Sequence, residues 1–210
     1  MRAWGKALLG AVAIAIALAA PAARADGLTG DESAQLARGD TVVRAQTIER
    51  GDHRWVGGVT YTILDATAAD MEALLDDVGA WHRVLPRTKS AVKVGDAGGD
   101  ALIELRQGSS LFETKYTIRV HKDAAARTVR FWLDPSRPHG IDDAWGFFRV
   151  EPIDASRVLF TFGVLLDIGD GIARSLFEER IRAATLAVPQ RVRQHLAALA
   201  ARRPQRLTMR

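Results

Sequence analysis

Residues 90–166 alternate apolar and polar side chains in short runs, and the stretch after them carries one long apolar stripe; no other feature constrains this chain as tightly. The alternating runs are 90–94, 101–107, 112–121, 127–133, 143–150 and 157–166, joined mainly by short turns such as Gly95-Asp-Ala-Gly-Gly-Asp100. Period-two runs at this spacing predict strands of an antiparallel meander. Ile172, Leu176, Phe177, Ile181, Ala184, Val188, Val192, Leu196 and Leu199 then recur at helical spacing behind an Asp170-Gly171 cap, predicting a long amphipathic helix. Pro189 lies inside that stripe. It has no N–H and crowds the carbonyl of Thr185, so a kink or break is expected there.

Upstream, residues 55–64 (WVGGVTYTIL) read as a strand whose glycine pair suggests a bulge. Met71, Leu74, Leu75 and Val78 mark a short helix, Gly79 interrupts it, and a second short turn from Trp81 to Leu85 ends at Pro86. Residues 31–38 have the polarity of a short helix stopped by Gly39, and residues 41–48 are a strand or extended arm. The expected fold class is α+β: a curved antiparallel sheet of about seven strands, two short helices after the first strand, and a long C-terminal helix across the sheet. An apolar sheet face must be covered, and that helix is the one element long enough to do it. A curved sheet gripping one helix tends to leave space between them, the default place for a ligand. No linker divides residues 55–201, which are expected to form one domain behind an N-terminal helix and arm (26–54) and ahead of a basic tail (202–210).

The first 25 residues read as an export signal. Arg2 and Lys6 precede an apolar run from Ala7 to Ala20, followed by Pro21 and Ala23-Arg24-Ala25. Small residues flank Arg24 as a signal peptidase requires, and the run is short for a membrane span. Cleavage after Ala25 and a periplasmic location are expected. The chain contains no cysteine, which excludes disulfides, thiolate metal sites, a cysteine nucleophile and a lipidated cysteine. The net charge of +4 is unevenly placed: all 25 acids lie between Asp26 and Glu179, whereas the eight arginines from Arg180 onward meet no acid. Such a C-terminus can dock on the domain itself or on an anionic membrane surface, and export disfavours nucleic acid.

Two segments carry a resemblance. Leu75-Asp-Asp-Val-Gly-Ala-Trp81-His-Arg-Val-Leu85-Pro86 is similar to the helix that ends in an aromatic residue and Leu-Pro in the START / polyketide cyclase-dehydrase (SRPBCC, helix-grip) superfamily. Trp145-Gly-Phe-Phe-Arg-Val-Glu-Pro152, followed by Val158-Leu-Phe-Thr-Phe162, resembles its late strands. Within the superfamily the likeness is greatest to the coenzyme Q-binding START-like branch, and it spans roughly residues 55–200. The resemblance implies that a lipid-like or polycyclic molecule is bound between sheet and helix, and fold alone does not choose among the superfamily's functions.

No motif of metal or nucleotide chemistry is present. His53, His82, His121, His139 and His195 show no ligand spacing, and no P-loop, dinucleotide fingerprint or nucleophile elbow occurs. No metal or cofactor is expected. One polar constellation, Arg137-Pro-His139-Gly-Ile-Asp142-Asp143, could place a proton acceptor and an oxyanion partner at a cavity mouth; it also reads as a surface turn shaped by Pro138 and Gly140. Trp81, Phe112, Tyr116, Phe131, Trp145, Phe147, Phe160 and Phe162 fall mostly at alternate strand positions. Trp81, Leu85, Phe131, Trp145, Phe147 and Phe162 are expected to line the ligand path, with Tyr116 and Asp143 as polar orienters. The expected function is a monomeric, exported binding or carrier protein for an apolar lipid, quinone or polyprenyl molecule. Two alternatives remain at this point: a cyclase/aromatase-type enzyme acting through the 137–143 loop, and an envelope interaction protein with a filled core.

Overall fold

A computed structural model describes residues 27–108, 113–170 and 172–207. The export signal and Phe112 therefore lie outside the described residues. Helix α1 (Gly30–Ala37) is followed by β1 (Val42–Arg50), β2 (His53–Leu64), α2 (Ala68–Asp76), a 3-10 turn (Val78–Ala80) and α3 (Trp81–Val84). Strands β3 (Thr88–Ala97), β4 (Asp100–Gly108), β5 (Glu113–Asp123), β6 (Thr128–Leu133), β7 (Asp143–Pro152) and β8 (Val158–Asp167) come next, then α4 (Ile172–Leu186) and α5 (Val188–Leu207). Thr29 and Thr67 start α1 and α2 through reciprocal capping boxes with Glu32 and Asp70.

The strands form one curved, eight-stranded sheet in the order β1-β2-β8-β7-β6-β5-β4-β3, every neighbouring pair antiparallel. The sheet has one strand more than the seven expected, because of the two readings open for residues 41–48 the strand holds: Val42–Arg50 pair along β2. The arm is also tied to α1: the Arg44 guanidinium donates to both carboxylate oxygens of Glu32, holding that carboxyl at about 2. The expected bulge at Gly57-Gly58 does not occur. Register runs unbroken through both glycines, where a Cβ would collide with the carbonyl oxygens of Val164 and Arg44. Glycine here permits β1, β2 and β8 to approach closely. The irregularities lie instead in β3, at Thr88/Ser90 and Lys93/Gly95.

The C-terminal helix breaks at Ala187, giving α4 and α5. Pro189 sits in the first turn of α5, where a missing N–H costs nothing. The break is pinned from below: the hydroxyl of buried Thr60 on β2 donates to the Leu186 carbonyl (3.1 Å), and Arg193 donates to Thr62 (2.5 Å) and to the Ile63 carbonyl (3.2 Å). Arg193 thus ties α5 to β2. α4 leans on β1, β2 and β8, α3 on β3, and α5 reaches across to α3. Among the described residues no helix is long and apolar enough to cross a membrane.

Candidate functional site: a cavity under the C-terminal helices

The core beneath these covers is not filled. Its densest part is a ring cluster centred on Phe148, whose centroid lies 5.4 Å from Phe131, 6.0 Å from Phe160 and 5.1 Å from Phe162. Beside this cluster lies a cavity of about 190 Å3. Tyr116, Phe131, Ala144, Phe148, Phe162 and Val164 make its floor on the sheet. Ile181 and Ala184 of α4 and Val188 of α5 make the roof, and Trp81, Leu85 and Pro86 form a side wall. The space exists because small residues stand where sheet and helix face each other: Ala144 on β7 and Ala184 on α4. A filled core is thereby excluded.

Size narrows what can enter. The volume exceeds the roughly 150 Å3 of an apolar cavity that holds benzene and falls below the roughly 300–1,000 Å3 of drug-sized sites. One narrow chain or one small ring fits; a polycyclic or two-chain molecule would require the covers to move.

One end of the cavity is polar. Gln107 and Thr114 are register partners on β4 and β5. The Tyr116 hydroxyl donates to Oε1 of the Gln107 side chain (2.5 Å), and burial pushes Tyr116 well above its ordinary value, so it remains a neutral donor. The Gln107 amide in turn donates to Thr88 (2.7 Å) and to the Pro86 carbonyl (3.3 Å). Arg87 follows Pro86 in a left-handed conformation (φ 50°), its carbonyl accepting from the Gly108 N–H at 2.9 Å. Thr114 Oγ1 is buried beside Gly140 with no hydrogen-bond partner. Arg87 and Arg180 are exposed, and both belong to the cavity wall. Trp81, buried in the side wall, has an indole N–H without a partner as well.

Of the eight residues expected to line the site, Trp81, Leu85, Tyr116, Phe131 and Phe162 do so. Asp143, Trp145 and Phe147 do not, and the reason is strand parity. Phe148 stands opposite Phe162, and Val150 opposite Phe160, so the even-numbered residues of β7 face inward. Trp145 is 46% exposed on the outer face. Asp143 accepts from the Trp55 indole N–H (2.9 Å) and from the Ala144 N–H (2.8 Å). Phe147 lies under the Arg149 guanidinium. Phe148, Arg87, Gln107, Thr114 and Arg180 were missed. Alternation from the already inward Phe160 and Phe162 through the β7–β8 turn would have found Phe148; no local pattern marks the others.

The proposed catalytic constellation does not assemble at the cavity. Arg137 lies 4.0 Å from the buried Asp134 carboxylate, His139 Nδ1 lies 2.7 Å from the Ile141 carbonyl oxygen, and from this loop Gly140 and Ile141 alone reach the wall. Among the described residues no three His, Asp or Glu side chains gather as metal ligands would.

This architecture, a curved antiparallel sheet around a C-terminal helix with a cavity between them, is the helix-grip fold of START-superfamily proteins. No protein-family model matches the sequence, and no curated protein matches it. Solved structures do. A STAR-related lipid transfer protein from Xanthomonas axonopodis superposes with a TM-score of 0.62 at 19% identity, over 75% of this chain and 93% of that one. A START superfamily protein from Mycobacterium smegmatis gives 0.55 at 11% identity, over 67% and 97%. The Zhui aromatase/cyclase of a Streptomyces species gives 0.53 at 17% identity, over 74% and 98%.

Proposed function

We propose that this protein binds or carries a small apolar molecule in the cavity between its sheet and α4/α5, and that it works in the cell envelope after export. The largely apolar cavity carries the reading. Among the described residues its lining contains no carboxylate, histidine or cysteine to act as base or nucleophile, so these walls suit holding a molecule rather than transforming it. A superposable fold in a lipid transfer protein supports the same reading. The aromatase/cyclase fold is equally superposable, but the 137–143 loop offers that chemistry no side chain at the cavity. A quinone head or a single acyl or short isoprenoid chain is the size of occupant that fits.

Native mass spectrometry of the protein purified from the cell envelope, followed by organic extraction, tests this. The expected result is a mature chain beginning at Asp26 that carries a co-purifying apolar mass of one chain or one small ring. An empty protein, whose melting no quinone analogue or fatty acid shifts, would overturn the binding reading. A full-length chain in the cytoplasm would overturn export.

A further inference from the structure

We infer that the ligand is an amphiphile with an anionic head group, its tail in the cavity and its carboxylate or phosphate held at the mouth by Arg87 and Arg180. The inference rests on the binding reading and specifies the ligand class. A cavity built only for a hydrocarbon has no use for cations in its wall, since unpaired guanidinium groups beside apolar surface forgo charge pairing. Among the described residues two arginines stand in this wall and no acid does.

Among the described residues several other arginines are held by acids, although Arg83, Arg127, Arg130 and Arg191 on the open surface are not; Arg87 and Arg180 differ from those in lying on the cavity wall. Arg44 pairs with Glu32, Arg54 with Glu178, Arg106 with Glu113, Arg119 with Asp134, Arg157 with Asp154 and Arg182 with Glu178. Neither Arg87 nor Arg180 has an ion pair or side-chain hydrogen bond among the described residues. They come from two covering segments: Arg87 from the turn between α3 and β3, Arg180 from α4, one turn after the exposed, cavity-lining Phe177. Forked donors on two walls of one cavity can each pair with an anionic head group.

A second, independent observation points to the same end. The buried Thr114 hydroxyl, also in the cavity wall, lacks a partner, and a buried hydroxyl is rarely left so. A small shift at Gly140, which abuts it, would let an anionic oxygen at the mouth accept from it.

The test compares three probes with one tail and different heads: decanoate, decyl phosphate and decanol, titrated into the protein as recovered from cells. Tryptophan fluorescence and calorimetry report binding. Decanoate and decyl phosphate should bind about tenfold or more tighter than decanol, and added salt should weaken only the two anions. The Arg87→Gln/Arg180→Gln double variant should lose that preference and keep its decanol affinity, which also shows that it is folded. The relative strength of the two anions tells a carboxylate from a phosphate head. Equal binding of all three probes, or a double variant that retains the preference, overturns the inference and leaves the apolar cavity standing. Failure of all three to bind removes the binding reading with it. If the double variant loses co-sedimentation with phosphatidylglycerol vesicles but keeps its decanoate preference, the arginines read a membrane surface, and the inference is again wrong.

Discussion

The two faces of β7 are built on opposite plans. Inward stand Ala144, Gly146, Phe148 and Val150; outward stand Asp143, Trp145, Phe147 and Arg149. The outer face has the larger rings and is partly exposed, with Trp145 set opposite Trp132 on β6. The inner face is mostly small, and its one ring completes the phenylalanine cluster. A face that must enclose a ligand keeps its side chains short, whereas a face that meets water can carry bulk whose polar neighbours orient it. Ring size therefore does not tell which way a strand residue points; the cross-strand partner does.

Removing Phe148 tests the contrast most severely. Phe148→Ala deletes the ring that touches three others and opens space next to an existing cavity, so collapse cannot compensate. A loss of about 3–5 kcal/mol is expected, read from chemical unfolding. A loss below about 1 kcal/mol would mean that the cluster is not the core. Next in size is a change on the same face that adds bulk. Ala144→Leu should occupy the cavity floor, at a cost of no more than about 1–3 kcal/mol for overpacking, while weakening decanoate binding about tenfold or more. Undiminished binding would place the ligand elsewhere.

Acid stability tests the loop that leads into the inner face of β7. Asp134, buried at the end of β6, accepts from the Ser136 hydroxyl (2.6 Å) and N–H (3.1 Å) and lies 3.5 Å from Arg119. The Ser136 hydrogen bond, followed by the Ser136 N–H and Arg119, holds its carboxyl below the usual range against the opposing effect of burial. A folded-state value below the unfolded one contributes stability at neutral pH, lost as pH falls through the depressed value. Asp134→Asn should therefore lower stability at pH 7 and flatten the acid limb of the stability profile. A variant whose stability falls with acid as steeply as wild type would show that Asp134 does not anchor the loop carrying Gly140 and Ile141 to the cavity.

The element order was legible because alternation and helical spacing are local and long enough to read: six strand runs, the helix stripe and the break at Pro189 all follow from it. The depth of the sheet was less so. Thr41 to Ile48 looks like any β-branched stretch, and only its pairing along β2 makes it a strand. In the site, Trp81, Leu85, Tyr116, Phe131 and Phe162 could be named from sequence, since each sits on an apolar face fixed by its own neighbours. β7 defeated the same logic because rings occur on both faces, in Trp145-Gly146-Phe147-Phe148. Arg87 and Arg180 carry no local signature either; they lie 93 positions apart in the chain and share only the wall of one cavity.

The smallest expected effect belongs to Trp145, which the aromatic pattern had marked as a ligand contact. If Trp145 lined the path, Trp145→Ala would weaken binding more than stability. Its ring instead lies on the outer face, 46% exposed and opposite Trp132, with the whole sheet between it and the cavity. Removing it forfeits one cross-strand pair and some half-buried surface, about 0.5–1 kcal/mol, and should leave decanoate affinity within the error of the titration. Trp81 offers the matched control. Its side chain is buried in the cavity wall, so Trp81→Phe should lose most of the ligand-induced fluorescence change, whereas Trp145→Phe should keep it. A ligand signal that instead disappears with Trp145 would place the binding site on the outer face, and the inward reading of β7 would fail.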